Sequence, residues 1–168
     1  MIFVTVGTHE QPFNRLIEYV DNLKSEGIIN EEVIMQTGFS TYEPKFCKWS
    51  KLIPYNKMVQ YVNEARIVIT HGGPASFIMP LQIGKIPIVV PRQYQFNEHV
   101  NDHQVEFAKA VSERMATIIT VIDILDLKDT ILNYSSIVTS MSSNMVSNNY
   151  EFNESFEKLV NTSLCKKR

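Results

Sequence analysis

Cysteine is scarce in this sequence of 168 residues, where Cys47 and Cys165 are the only two. They lie far apart and form no CxxC pattern, so the sequence predicts neither a disulfide scaffold nor a zinc site built from thiolates. Two free thiols are expected, which is typical of proteins in a reducing compartment.

Long apolar runs and excess basic charge are missing as well. No stretch approaches the roughly 18 apolar residues of a membrane-spanning helix, so any membrane contact is expected to be peripheral or through a partner. Met1–Gly7 lacks the basic start of a signal peptide and predicts a first strand instead. A formal net charge of -2 and a pI of about 6.1 provide no basic field for phosphates, so no nucleic-acid partner is expected.

Three familiar nucleotide and hydrolase motifs are also absent. The chain contains no G-x-G-x-x-G and no G-x-x-x-x-G-K-[ST], which argues against a nicotinamide dinucleotide site and an ATP-hydrolysing P-loop. It has no G-x-S-x-G elbow either, so the usual signal of an α/β-hydrolase is missing.

Predicted strands and helices alternate along the chain. The composition, 44% hydrophobic and 20% charged, is that of one globular domain with a real core. Apolar runs predict six strands, at Met1–Gly7, Glu32–Thr37, Lys51–Pro54, Arg66–His71, Ile86–Pro91 and Ala116–Ile122. Apolar residues at helical spacing fill the intervals. This alternation predicts an α/β fold with a single doubly wound, Rossmann-like parallel sheet.

Helix boundaries and domain limits follow from local signals. Asn56 can cap one helix, Pro74 can begin the next, and Pro80 should kink or shorten it. A helix from about Asp123 to Tyr134 ends the pattern.

Residues 1–138 are therefore predicted to form the domain, and the Ser- and Asn-rich stretch 139–150 to form a linker. Residues 151–168 predict a C-terminal amphipathic helix, which either packs on its own domain or contacts a second protein.

The turn His71–Ser76 is the most informative segment at the edge where open α/β sheets bind ligands. Its two glycines let the backbone approach a ligand, and the following helix presents unpaired N–H groups and a positive dipole end. A phosphate or diphosphate is expected there, with the Ser76 and Thr8 hydroxyls as further donors. A purely structural turn is the alternative.

The stretch Glu98–Gln104 is rich in side chains that form hydrogen bonds. His99 and His103 are four residues apart, a spacing that could suit a metal site, but the match is loose and no metal is expected. Carboxylates, amides and imidazoles suit a polyhydroxylated ligand better. The alternative is a solvated, well-capped helix start.

Four segments together resemble a known family: VTVGTHEQPFNRLI, QTGFS, ARIVITHGGPAS, and GKIPIVVPR with EHVNDHQ. They are similar to the soluble subunits of two-component bacterial exopolysaccharide and capsule galactosyltransferases, of the PssE and EpsF type. These are relatives of the family 28 glycosyltransferase C-terminal domain and of the soluble subunit of the dolichol-pathway GlcNAc transferase. The resemblance extends over about Met1–Ile122.

The resemblance implies the donor-binding half of a GT-B enzyme. Such an enzyme holds a UDP-sugar without a metal or other cofactor and transfers the sugar, with inversion, to a polyprenyl-diphosphate-linked saccharide. Galactose in β-1,4 linkage, for capsule or exopolysaccharide, is expected, with GlcNAc or glucose as alternatives. A non-catalytic subunit that binds UDP-sugar or stabilises a complex is the alternative function.

GT-B enzymes need two Rossmann-like domains, and this chain supplies one. The resemblance therefore implies a membrane-anchored partner subunit that provides the acceptor half. That partner would recruit the cytoplasmic chain to the inner face of the cell membrane, with the helix at 151–168 as part of the contact.

Site residues are carried over by position from the resembling family. The diphosphate set is Gly7, Thr8, His71, Gly72, Gly73 and Ser76; the uracil set is Ile53, Pro54 and Tyr55; the sugar set is Glu98, Asn101, Asp102 and Gln104. Arg92 is expected to offset leaving-group charge. His9 and Glu10 are the candidate general bases, with a base on the partner as the alternative. Met79 stands where many UDP-sugar transferases carry a ribose-binding glutamate.

Overall fold

Six parallel strands form one sheet in the computed structural model, which describes residues 1–144. The strands are β1 (Ile2–Thr5), β2 (Val33–Gln36), β3 (Lys48–Ser50), β4 (Ile67–Thr70), β5 (Ile88–Val89) and β6 (Ile119–Thr120). Their order is β3-β2-β1-β4-β5-β6, and every neighbouring pair is parallel. The predicted Rossmann-like α/β fold is confirmed.

Six helices cover the two faces of the sheet. They are α1 (Asn14–Ser25), α2 (Tyr55–Glu64), α3 (Pro74–Gln82), α4 (His103–Met115), α5 (Asp126–Leu132) and α6 (Tyr134–Asn144), with a 3-10 turn at Tyr94–Phe96. Apolar side chains of α1, α5 and α6 join one core cluster with the sheet. Those of α2 join a second cluster, and those of α3 and α4 a third. Within residues 1–144, no helix has the length and apolar character needed to cross a membrane.

The central strand β1 is buried on both sides, which is why its sequence is almost continuously apolar. Ile2 and Val4 belong to the cluster with α1, whereas Phe3 packs with Val62 of α2 and Val68 of β4. Alternation along the strand thus places successive side chains in the cores on opposite faces.

The strand order reverses around β1, which pairs with β2 on one side and with β4 on the other. In open α/β sheets, ligands bind outside the carboxyl ends of the strands at such a switch point. The loops that follow β1 and β4 meet there, so the topology itself selects the position of the site.

Two predicted boundaries near α2 are wrong. The third strand is Lys48–Ser50, not Lys51–Pro54, because an edge strand with exposed Lys48 and Ser50 carries almost no apolar signal. Asn56 does not cap α2: the helix begins at Tyr55, and Asn56 Oδ1 instead accepts the N–H of Lys57.

The C-terminal part of the described chain also differs from prediction. The helix predicted to end at Tyr134 is interrupted at Asn133, and α6 continues to Asn144. The predicted linker from Thr139 therefore starts inside a helix. The Thr139 hydroxyl donates to Ser135 O and that of Ser140 to Ile137 O, so these side chains bond along the helix itself. Residues 145–150 and the helix predicted at 151–168 lie outside the described residues.

Candidate functional site

A cleft of about 580 Å³ opens at the carboxyl edge of the sheet, between the loops after β1 and β4. Seven residues that the sequence analysis singled out line it: Gly7, Thr8, His9, His71, Gly73, Ser76 and Gln104. The two loops that were predicted to hold a diphosphate are thus brought together at one place.

His71 is held by both of its ring nitrogens. Nδ1 accepts the N–H of Gly73 at 3.0 Å, and Nε2 lies 2.8 Å from Ser76 Oγ. Burial, together with the positive charge of Arg92, lowers the pKa of His71 from 6.5 to about 4. The neutral ring with an accepting Nδ1 carries its proton on Nε2 and donates it to Ser76. The hydrogen of the Ser76 hydroxyl is therefore free to point at a ligand.

The glycines of the site make room for this imidazole. A Cβ on Gly73 would lie 2.2 Å from His71 Cε1, and one on Gly7 would lie 2.4 Å from Nε2. Gly7 also has a φ of 72°, which favours glycine. A Cβ on Gly72 would come within 2.9 Å of Gln104 Cβ. The paired glycines are expected from the sequence to let the backbone approach a ligand, whereas the structure shows that they make room for the side chains of His71 and Gln104.

The N–H groups of the two paired glycines are not available to a ligand. Gly72 N–H donates to Gln104 Oε1 at 3.0 Å, and Gly73 N–H donates to His71. The first turn of α3 lines the cleft at this end with Ala75 and Ser76, and the Ala75 amide has no acceptor within the helix. The cleft lining, as far as residues 1–144 show it, contains no lysine or arginine.

Arg92, which is expected to offset leaving-group charge, lies in the interior and not on the cleft surface. Its side chain is 0% exposed. Nη2 donates to Val6 O at 2.9 Å, and Nη1 donates to Gln11 O at 2.7 Å and to Glu98 O at 3.1 Å. The guanidinium also lies over the ring of Phe13. Burial lowers its pKa to about 10, which leaves it charged at neutral pH. Arg92 ties the loop after β1 to the loop after β5.

Glu98 is likewise committed to the interior, which corrects its predicted contact with a sugar. Its carboxylate accepts hydrogen bonds from Nε and Nη2 of Arg15 at 2.9 and 2.8 Å. It also accepts the backbone N–H of Gln93 at 3.0 Å. Arg15 in turn lies over the rings of Phe13 and Phe96. This buried ion pair fastens α1 to the loop after β5.

The rest of the predicted sugar set divides between structure and cleft. Asp102 Oδ1 accepts the N–H of Tyr94 at 2.9 Å. Asn101 Oδ1 lies 3.1 Å from His99 Nδ1 and accepts the N–H of His103. Gln104 lines the cleft, and its Oε1 joins the turn after β4 to the N–H of Arg92.

The histidines of this stretch do not converge on a metal position. His103 is exposed and lies 3.3 Å from Glu106. Among the described residues, no three metal-binding side chains form a cluster.

The predicted uracil residues lie apart from the main cleft. Ile53 and Pro54 line a separate cavity of about 200 Å³ beside Trp49 and Tyr61. Tyr55 begins α2 and is exposed. Of the two candidate bases, His9 lines the cleft, whereas Glu10 is exposed and does not.

The structure adds cleft residues that sequence analysis did not assign: Thr5, Gln36, Met58, Ala75 and His99. Thr5 stands opposite Gln36 in the parallel register, so the two polar side chains lie next to each other at the floor. Thr5 is the last residue of β1 and Gln36 the last residue of β2, and both strands are otherwise apolar. A polar residue at the end of an apolar strand is the sequence signal that could have identified them as cleft residues. His99 was weighed as a metal ligand and as one of the imidazoles that suit a polyhydroxylated ligand, but was not assigned to the site; it stacks on His9 with ring centroids 4.8 Å apart.

Comparisons with known proteins bear on the family and the fold. Residues 1–160 match the model of the glycosyltransferase family 28 C-terminal domain. No curated protein matches the sequence. Among solved structures, the glycotransferase of kitacinnamycin is similar with a TM-score of 0.59 and 15% identity, over 84% of this chain and 37% of that one.

A second solved structure is the glycosyltransferase SnogD from Streptomyces nogalater, with a TM-score of 0.48 and 17% identity over 71% of this chain and 30% of that one. The chain thus spans about a third of the length of these two proteins. It belongs to the glycosyltransferase family 28 C-terminal domain family, and its fold is that of one half of a GT-B glycosyltransferase.

Proposed function

We propose that this chain is the donor-binding, catalytic subunit of an inverting glycosyltransferase of the PssE and EpsF type. It transfers a sugar from a UDP-sugar to a polyprenyl-diphosphate-linked saccharide. The observation that carries the proposal is the cleft at the β1/β4 switch point, where Thr8 and the first turn of α3 with Ser76 share one wall.

The diphosphate is expected to sit between the two loops. The hydroxyls of Thr8 and Ser76 and the amide of Ala75 are the donors on that wall, and hydrogen bonds to charged groups are stronger than neutral ones. The dipole of α3 adds a further favourable interaction of about 0.3 to 1 kcal/mol. His71 positions the Ser76 hydroxyl, and Gly7, Gly72 and Gly73 leave the space that the side chains of His71 and Gln104 occupy.

The remaining parts of the donor extend to either side. Gln104, beside the turn at His71, is the proposed sugar contact. Asn101 and Asp102 support it by holding the start of α4. The smaller cavity at Ile53 and Pro54, with Tyr55 at its edge, is the proposed position of the uracil. Met58 of α2 lines the main cleft, and Lys57 lines the smaller cavity, so α2 borders both.

The acceptor half is expected from a second subunit. The resemblance to the PssE and EpsF type implies such a subunit, and one Rossmann-like domain leaves the cleft open on one side. A membrane-anchored partner that recruits the cytoplasmic chain to the inner face of the membrane would close it, and residues 151–168 are the proposed contact. Galactose is the proposed transferred sugar, and the proposed product carries it in β-1,4 linkage on the lipid-linked saccharide, for capsule or exopolysaccharide.

Calorimetric titration of the purified chain tests the donor site directly. UDP, UDP-galactose, UDP-glucose and UDP-GlcNAc are titrated with and without Mg²⁺, with NAD as the control ligand. Binding of one UDP-sugar above the others supports the proposal and identifies the sugar. If neither the chain nor its complex with co-purified partner binds any UDP-sugar, the proposal is wrong.

Turnover separates a catalytic subunit from a stabilising one. Membranes of a strain that lacks the chain are supplemented with recombinant chain, and transfer of radiolabel from UDP-galactose to extractable lipid is measured. The Ser76→Ala variant should transfer poorly. Transfer at the wild-type rate by a variant that no longer binds UDP-galactose would favour the non-catalytic alternative.

A further inference from the structure

Two stacked imidazoles line the cleft together with the turn at His71. His9 comes from the loop after β1 and His99 from the loop after β5, and their ring planes meet at 27°. The buried Arg92 connects these two loops, because its guanidinium donates hydrogen bonds to Gln11 O and to Glu98 O. The backbone beside each ring is therefore held by a buried network to which neither ring belongs.

The protonated nitrogen of neutral His99 is determined by its neighbours. Asn101 Oδ1 lies 3.1 Å from His99 Nδ1, and the same atom accepts the backbone N–H of His103 at 3.2 Å. A backbone N–H can donate only to an acceptor, so this atom of Asn101 is the amide oxygen and not the nitrogen. His99 Nδ1 must then be the donor, and its Nε2 carries the lone pair.

The other histidines of the chain lack this combination. Both ring nitrogens of His71 are occupied, by Gly73 N–H and by Ser76. His9 Nε2 lies 2.9 Å from Gln11 Oε1, but no backbone N–H fixes which end of that amide faces the ring. His103 does not line the cleft. Among the four histidines, only His99 both lines the cleft and has an Nδ1–H that donates to a fixed acceptor. Proteins orient a general base in this way.

We propose that His99 is the proton acceptor of the transfer reaction and that Asn101 is its positioning residue. This inference rests on the proposed function, a sugar transfer from UDP-sugar to a saccharide hydroxyl. The acceptor oxygen forms a bond to the anomeric carbon as the bond from that carbon to the diphosphate oxygen breaks. The hydroxyl proton moves to His99 Nε2, and the bonding electron pair leaves with UDP.

The first experiment compares His99→Ala with His103→Ala in the membrane transfer assay with UDP-galactose. General-base catalysis contributes about 10²- to 10⁴-fold to rate, so His99→Ala is expected to lose turnover by that factor. Its affinity for UDP-galactose, measured by calorimetry, should stay within about threefold of wild type, and added imidazole should restore part of the rate. His103→Ala, altered at an exposed side chain, should match the wild type.

The second experiment reads the tautomer without any ligand. Long-range ¹H–¹⁵N correlation spectra of the full chain should show neutral His99 protonated at Nδ1. Asn101→Ala should abolish that preference and slow turnover about tenfold at unchanged donor affinity. Asn101→Asp, which keeps an acceptor oxygen, should restore both.

Three results would overturn the inference. They are turnover of His99→Ala within about threefold of wild type, a neutral His99 protonated at Nε2, or a lack of rescue of His99→Ala by imidazole. Failure of the wild type to bind or transfer any UDP-sugar is a different result. It would overturn the proposed function, and this inference with it.

Discussion

The Nε2 atom of His71 lies 2.8 Å from the hydroxyl oxygen of Ser76, in the first turn of α3. The Nδ1 atom of the same ring accepts the N–H of Gly73. These two contacts make the ring a donor to Ser76 and leave the serine hydrogen for the cleft. At this end the cleft therefore presents a hydroxyl backed by a neutral imidazole.

Ser76→Ala should weaken the binding of UDP by roughly tenfold. A hydrogen bond to a charged group contributes about 1.5 kcal/mol or more, which corresponds to that factor. Calorimetry with UDP measures it, and Ser136→Ala on the exposed side of α6 is the matched control. Equal affinities of the two variants would contradict the assignment of Ser76 to the diphosphate.

Stability should depend on pH through His71. Its pKa is about 4 in the folded chain against 6.5 for an ordinary histidine. Between these values the unfolded chain binds a proton that the folded chain does not, so the free energy of unfolding falls as the pH falls through this window. The contribution is fully present above about pH 6.5 and is lost by about pH 4.

Replacing His71 by Asn removes that proton and keeps a polar amide. We expect urea denaturation of His71→Asn to show a shallower dependence on pH between about 6.5 and 4, by up to about 1.4 kcal/mol per pH unit. His103→Asn, at an exposed histidine, should keep the wild-type slope. If His71→Asn and wild type have the same slope, His71 is not held neutral by the fold.

Gly73→Ala should destabilise the chain and weaken UDP binding together. Gly73 has an ordinary φ of -75°, so the cost comes from the new Cβ, which would lie 2.2 Å from His71 Cε1. Overpacking of this kind costs about 1 to 3 kcal/mol. Thermal denaturation and UDP titration measure the two effects.

Gly84→Ala is the control for Gly73→Ala. Gly84 has a φ of 74° but no atom within 4 Å of an added Cβ. It should lose about 1 kcal/mol of stability from its backbone conformation alone and bind UDP as the wild type does. Loss of UDP binding in both variants would show that the effect is global rather than local to His71.

Glu98→Gln should lower the free energy of unfolding by about 3 kcal/mol. The carboxylate is 3% exposed and neutralises Arg15, and removing one partner of a buried ion pair leaves the other charge uncompensated. Chemical denaturation measures the loss. Glu32→Gln, which breaks the exposed pair with Lys48, should leave the denaturation midpoint unchanged. Equal midpoints for the two variants would contradict a structural role for Glu98.

The sequence predicted the helix and strand pattern best where burial on two faces makes a strand apolar throughout. Burial on two faces is what predicts β1 and β4, whereas the two glycines and Pro74 predict the turn that follows β4. The pattern failed at Lys48–Ser50, whose side chains are largely exposed at the sheet edge. The pattern also failed at Thr139, where a Ser- and Asn-rich composition predicts a linker. The Thr139 hydroxyl instead donates a hydrogen bond to Ser135 O within α6.

For the candidate site, sequence order located the loops but not the direction of their side chains. Arg92, Glu98 and His99 stand within eight residues in a polar segment after β5. Only the fold shows that Arg92 and Glu98 point into the interior while His99 lines the cleft. The partners that decide this, Val6 O and Arg15, are about 80 residues away in the chain, and no local pattern encodes such contacts.

The sequence by itself determined the alternation of strands and helices, and with it the parallel sheet and the edge at which the loops gather. Those features follow from hydrophobic periodicity and turn chemistry, which act over a few residues. Tertiary structure alone decided which polar groups are exposed at that edge. Buried charges and donors must find partners wherever the fold offers them, and at this edge the partners lie on elements far apart in the chain.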